Sequence, residues 1–192
     1  MRKILLSEKQ IQDICIEIGG KLTERLAEDG SNLPVVLGVM KGGLNFTVDL
    51  IKRINTPILT DYIQISSYEG TESTGIIHLK KDISLNIVGK TVVIVDDVVD
   101  TGYSMHYLKN YIINKFHPKE VIVCALIDKV SIRKIDVSLD YCGLVLKENQ
   151  FLMGYGLDYD ELYRNVPYVY VPDSAEIDEY SRLSHEQNQD DD

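Results

Sequence analysis

Three short stretches of this chain hold residue types that do chemistry, and each follows directly on an apolar run. Residues 92–95 lead into Asp96-Asp97-Val98-Val99-Asp100-Thr101-Gly102-Tyr103-Ser104. Residues 35–40 lead into Lys41-Gly42-Gly43, and residues 121–127 lead into Asp128-Lys129. The first stretch is the most informative. Unpaired backbone N–H groups at a helix start, together with the positive end of the helix dipole, suit an anionic phosphate. Gly102 lets the backbone come close to it, and Thr101 and Ser104 add hydroxyl donors. Asp96 and Asp97 would repel a bare phosphate. They fit a ligand that also presents ribose hydroxyls or brings Mg²⁺. The stretch therefore asks for a phosphorylated sugar with a metal. Asp100 or Thr101 could instead cap the following helix, but capping leaves the other carboxylates behind so apolar a strand unexplained.

These stretches need elements to position them. Continuous apolar strands alternating with helices imply an α/β domain with a parallel sheet covered on both faces, and such sheets bind ligands beyond the carboxyl ends of their strands. The first helix is marked by Ser7 and Gln10, a capping box, and by Ile11, Ile14, Cys15, Ile18, Leu22 and Leu26 along one face. Further helices are predicted over 44–54 and 104–116. Strands are predicted over 35–40, 58–68, 91–95, 121–127, 141–146 and 168–171, with short hairpin strands over 76–79 and 83–88. Segment 58–90 reads as an excursion over one sheet edge, and the polar, Gly-bearing residues 69–75 as a loop.

Composition removes several classes. The chain has 192 residues, 30 acids against 20 bases, and 44% apolar residues, which suits one soluble domain. The sequence contains no apolar run long enough for a membrane span, and residues 1–7 hold too few apolar residues for a signal-peptide core. Three cysteines, Cys15, Cys124 and Cys142, lie far apart without a CxxC pair, so neither a disulfide framework nor a cysteine zinc site is expected. The acidic balance disfavours nucleic acid as a partner. Eight acids and one base fall in residues 173–192, which read as an acidic, mostly disordered tail behind a single domain of residues 1–172. Gly89-Lys90-Thr91 is not a P-loop, because it precedes a strand and lacks the earlier glycine.

Residues 93–104 resemble the 5-phosphoribosyl-1-pyrophosphate (PRPP) signature of the type I phosphoribosyltransferases. Met40-Lys41-Gly42-Gly43, Ser67-Tyr68, Leu126-Ile127-Asp128-Lys129 and Phe151-Leu152-Met153-Gly154-Tyr155-Gly156-Leu157-Asp158-Tyr159 narrow the resemblance to the hypoxanthine (hypoxanthine-guanine) branch, over residues 4–172. The resemblance implies the type I fold: a central parallel sheet flanked by helices, a small hood and a mobile lid loop that starts at Ser67-Tyr68. It implies a cytoplasmic purine-salvage enzyme that forms IMP, and GMP, from PRPP and hypoxanthine or guanine, releases pyrophosphate, uses Mg²⁺ and assembles as a homodimer or homotetramer. Asp100 takes the catalytic acid–base position. Asp96 and Asp97 hold the ribose and orient the metal, with Asp158 as a second-metal position that also lies at the purine. Thr101, Gly102, Ser104 and the Tyr103 amide cradle the 5-phosphate. Lys41, Gly42, Arg164, Ser67 and Tyr68 bind pyrophosphate, in a loop where a non-proline cis peptide precedes glycine. Lys129, Phe151 and Leu152 bind the purine. Residues 147–150 depart from the family pattern, being one residue longer and without proline. The competing reading is a PRPP-binding regulator of the same fold without transferase activity.

Overall fold

The computed structural model describes residues 2–28, 30, 32–67 and 77–190. Its centre is a six-stranded sheet. The strands are β2 (Val35–Met40), β3 (Leu59–Ser67), β4 (Ile77–Lys81), β5 (Thr91–Val99), β6 (Glu120–Lys129) and β7 (Tyr141–Leu146), in the order β4-β3-β2-β5-β6-β7. All pairs are parallel except β3 with β4. The chain winds outward from β2 to β3 on one side and from β5 to β7 on the other. The order therefore reverses between β2 and β5, and a crevice opens there at the strand ends. Lys41-Gly42-Gly43 and the residues after Val95 meet at that point.

Side chains alternate across the sheet. Val93 and Val95 pack with Ile122, Cys124 and Leu126 under helices α1 (Glu8–Ala27) and α2 (Leu44–Ile51). Val92 and Ile94 pack with Val123 and with Met105, Leu108 and Ile112 of α3 (Tyr103–Phe116) on the opposite face. The capping box of α1 is present, with Ser7 N donating to Gln10 Oε1 at 2.9 Å and Gln10 N to Ser7 Oγ at 3.3 Å.

The structure differs from the sequence expectations in five places. Strand β5 does not stop at Val95. It runs to Val99, paired with β6 as far as Val99↔Asp128, because the ladder accepts the backbone of Asp96 and Asp97 whatever their charge. Residues 83–88 form no strand, since Ser84 N and Leu85 N donate to the Asp61 carboxylate (2.6 and 3.0 Å) rather than to a ladder. Segment 58–90 is part of the main sheet through β3 and β4. A strand not foreseen, β1 (Lys3–Leu6), pairs antiparallel with β8 (Val169–Val171) in a separate two-stranded sheet. Residues 174–190, read as mostly disordered, form helix α4 (Ser174–Asp190).

That helix has an anchor and a cap the charge count concealed. Tyr180 is 2% exposed and packs with Met153 and Tyr170, with its ring centroid 4.0 Å from that of Tyr163. Asp173 and Glu176 form a capping pair, Glu176 N to Asp173 Oδ1 at 3.0 Å and Asp173 N to Glu176 Oε2 at 3.2 Å. Arg2 closes the ring with an ion pair to Glu176 at 2.6 Å. Truncating a buried aromatic costs about 3–5 kcal/mol. Tyr180→Ala is therefore expected to lower the melting temperature and the helical circular dichroism together; unchanged helical signal would show that α4 does not depend on this anchor.

Candidate functional site

The segment joining β5 to α3 is fixed from behind. Arg133 donates through Nε to Asp100 O (2.9 Å) and through a terminal nitrogen to Val99 O (3.1 Å), and its guanidinium pairs with Asp128. Lys134 N and Ile135 N both donate to Thr101 O, at 2.9 and 3.0 Å. The carbonyls of residues 99–101 are thus engaged on the rear side. Gly102 is the N-cap of α3 with φ of 90°, a conformation that favours glycine, and no side chain caps the helix. The capping alternative for Asp100 and Thr101 is therefore not what the chain does. The first bond of the helix is His106 N to Gly102 O at 2.9 Å, which leaves the preceding amides as the unpaired N-terminal donors of any helix.

Those amides border a cavity of about 370 Å³ lined by Gly42, Asp96, Asp97, Asp100, Thr101, Gly102, Ser104, Asp158 and Arg164, among others. Tyr103 does not line it and lines a cavity along α3 instead. Gly42 lies against the Asp97 carboxylate so closely that any Cβ there would collide with it. Asp97 is 7% exposed. Val98 N donates to its Oδ1 at 2.9 Å, and Asp97 N donates to Asp96 Oδ1 at 3.0 Å. Burial pushes both carboxyls above the usual range, and the adjoining Asp97 carboxylate adds to the rise at Asp96.

No group of three or more acidic, histidine or cysteine side chains among the described residues could hold a metal alone. Asp158 is committed to Arg164 NH1 (3.0 Å) and accepts from Glu161 N (2.8 Å). Asp96 and Asp97 together nevertheless fit a hard cation that takes its remaining ligands from a phosphorylated substrate, since Mg²⁺ binds through one or two carboxylates plus phosphate oxygens.

A second cavity, of about 550 Å³, is lined by Val98, Asp100, Lys129, Phe151, Leu152, Leu157, Asp158, Tyr159, Asp160 and Glu161. Lys129, at the end of β6, is 7% exposed and its ammonium lies 3.1 Å from Asp100 Oδ1. That oxygen is shielded from solvent and accepts no hydrogen bond in good geometry. Leu152 is buried, whereas Phe151 is 48% exposed, its ring meeting Tyr159 edge-on at 5.9 Å. Asp100 lines both cavities.

Of the remaining expected residues, Lys41 and Arg164 stand together through Glu161: Lys41 Nζ lies 2.9 Å from its carboxylate and Arg164 NH2 3.0 Å. The cis peptide falls between Met40 and Lys41, one bond ahead of the Lys41–Gly42 link. Ser67 ends β3 opposite Ile77 and lines neither cavity. Tyr68 and the loop 69–75 lie outside the described residues. Two residues were not foreseen, Arg133 and Glu161. Arg133 carries little local sequence signal: Asp128 is five positions back, but the carbonyls of Asp100 and Val99 that it holds lie 33 and 34 positions away. Glu161 sits between Asp158 and Arg164, and only that flanking could have drawn attention to it.

The chain belongs to the phosphoribosyl transferase domain family, whose model matches residues 7–160. It is 39% identical over 171 residues to a hypoxanthine-guanine phosphoribosyltransferase of Staphylococcus epidermidis, covering 88% of this chain and 92% of that protein. It is 38% identical over 170 residues to the bifunctional protein TilS/HprT of Listeria monocytogenes, matching 88% of this chain; it spans 26% of that longer relative. The crystal structure of a hypoxanthine phosphoribosyltransferase from Staphylococcus aureus superposes with a TM-score of 0.82 at 37% identity, covering 90% of this chain and 92% of that one. The central, mostly parallel sheet flanked by helices is the type I fold. No helix among the described residues is long and apolar enough to cross a membrane.

The acidic pair gives a stability test. A carboxyl whose folded pKa is raised stabilises the fold below its unfolded value, near 3.9, and loses that contribution as pH rises through the folded pKa. In the absence of ligand and metal, Asp96→Asn is expected to raise the melting temperature at pH 8 and to leave it little changed at pH 4. An equal shift at both values would show that Asp96 is not held in the protonated direction.

Proposed function

We propose that this chain transfers the 5-phosphoribosyl group of PRPP to N9 of hypoxanthine, and of guanine, giving IMP or GMP and pyrophosphate as a cytoplasmic purine-salvage enzyme. The observation that carries this reading is the position of Asp100, on the wall shared by a phosphate-suited cavity and a base-suited one. The names of the relatives support the same substrate class.

The roles are those the family resemblance implies, and the geometry supports them. The amides and hydroxyls of residues 101–104 hold the 5-phosphate, with the carbonyls behind them already bound to residues 133–135. Asp96 and Asp97 accept from the ribose hydroxyls, and Gly42 and Arg164 close the opposite wall toward pyrophosphate. Phe151 supplies a ring face for the purine. Lys129 donates to its 6-oxo group, a contact an adenine 6-amino group cannot accept, and mismatched buried polar groups discriminate strongly. The base enters between Lys129 and Asp100, and Asp100 exchanges a proton with purine N7 and offsets positive charge developing on the ring. Asp96 and Asp97 would hold Mg²⁺, which when bound would supply charge neutralisation for the pyrophosphate leaving group. Asp158 is the weaker metal candidate, because Arg164 occupies it.

Pyrophosphate release from PRPP and Mg²⁺ with hypoxanthine, guanine, xanthine, adenine and uracil tests the reading. Release is expected with hypoxanthine and guanine and not with adenine or uracil. The ratio of the first two reports on the departing 147–150 segment. Asp100→Asn is expected to lower kcat by about 10²–10⁴, the usual range for a proton-transfer group, with the KM for PRPP little changed. Protein that binds PRPP yet releases nothing with any base would be a regulator and not a transferase.

A further inference from the structure

Glu161 occupies an unusual place. Its two carboxylate oxygens are divided between two cations: Lys41 Nζ lies 2.9 Å from Oε1, and Arg164 meets Oε2 with NH2 at 3.0 Å and Nε at 3.2 Å. Both nitrogens on that edge of the guanidinium, the edge that can also hold a phosphate, meet the single oxygen Oε2. Asp158 takes the remaining side of the same guanidinium through NH1. Lys41 and Arg164 are the two cations placed above at the pyrophosphate end of the site.

The backbone is shaped to deliver this carboxylate. Glu161 and Asp160 both have positive φ, 70° and 49°, unusual for residues other than glycine. The turn is pinned by Glu161 N donating to Asp158 Oδ2 at 2.8 Å and by Leu162 N donating to Tyr159 O at 3.0 Å. The interactions of Lys41, and then of Arg164, hold the Glu161 carboxyl below the ordinary glutamate range despite its partial burial.

Resting on the pyrophosphate role of Lys41 and Arg164, we propose that Glu161 is an internal stand-in for the diphosphate. Its carboxylate bridges the two cations when the site is empty, and a diphosphate group must displace it to bind. A carboxylate and a phosphate present similar oxygen acceptors to the same guanidinium edge, so they compete for it. Two cations gathered for a polyanion would repel each other without one. Glu161 removes that repulsion, and by re-forming its bridge it favours the departure of pyrophosphate after transfer. Glu161 is thus a positioning residue that acts through Lys41 and Arg164 and weakens diphosphate binding.

The test is titration of the full-length chain with inorganic pyrophosphate and Mg²⁺, for wild type, Glu161→Gln and Glu161→Asn. Asparagine tolerates the left-handed backbone at this position, so it separates loss of charge from loss of the turn. Exposed ion pairs are each worth little; removing one competitor that makes two of them is expected to tighten pyrophosphate binding roughly three- to tenfold. In turnover, the KM for PRPP is expected to fall and inhibition by pyrophosphate to strengthen. IMP carries no diphosphate to compete with Glu161, so its binding is not expected to tighten in the variants, and retained IMP binding reports a folded site. Equal or weaker pyrophosphate binding by a variant that still binds IMP would overturn the proposal. A wild-type chain that binds IMP but no pyrophosphate would instead overturn the pyrophosphate role of Lys41 and Arg164 on which it rests.

Discussion

The backward-facing carbonyls of residues 99–101 fix the geometry on which the front of the site depends. A segment rich in carboxylates at the end of a strand could fold in many ways, and its own residues do not choose among them. Arg133 and the amides of residues 134 and 135 do, by binding the carbonyls of Val99, Asp100 and Thr101 from the next connection along. Thr101, Gly102 and Ser104, at the helix start so held, line the cavity. A helix start fixed in this way offers its unpaired N–H donors before any ligand arrives.

Charge in the site is arranged around that fixed loop. Most ionic groups at the two cavities already have opposite partners: Lys129 with Asp100, Arg164 with Asp158, and Lys41 with Glu161. Lys129 is the buried member of these pairs, and its burial is tolerable because Asp100 partners it. Asp96 and Asp97 are the exception. They adjoin one another on a buried strand, where burial pushes both carboxyls above the usual range. Hydroxyl donors or a divalent cation are the kinds of ligand that would favour their charged forms.

Much of the architecture was legible because local and global preferences agree. Apolar runs such as residues 92–95 are strands in any context, and the Ser7–Gln10 capping box sets the start of α1. The convergence of Lys41, Asp96 and Lys129 at one sheet edge followed from the α/β order alone. What escaped was decided by distant partners. The length of β5 depends on pairing with β6, the absence of strand over 83–88 on Asp61, and the docking of α4 on Tyr180 and Arg2. In the site, residue types at strand ends drew attention to residues 96–102, Ser104 and Lys129, which line the two cavities, whereas Phe151, Leu152 and Asp158 came only with the family resemblance. The supporting Arg133 was missed because the carbonyls it holds lie 33 and 34 positions away, and the bridging Glu161 because its second cation, Lys41, comes from another segment, although its spacing to Asp158 and Arg164 was visible.

The central claim is that Asp100 stands where the sugar phosphate and the base meet. A crystal structure of the chain with IMP addresses it most directly. The account requires the 5-phosphate on the amides of residues 101–104, the purine against Phe151 with its 6-oxo group at Lys129, and Asp100 beside N7. A nucleotide bound with its phosphate at Lys129, or in a cavity that Asp100 does not line, would contradict it.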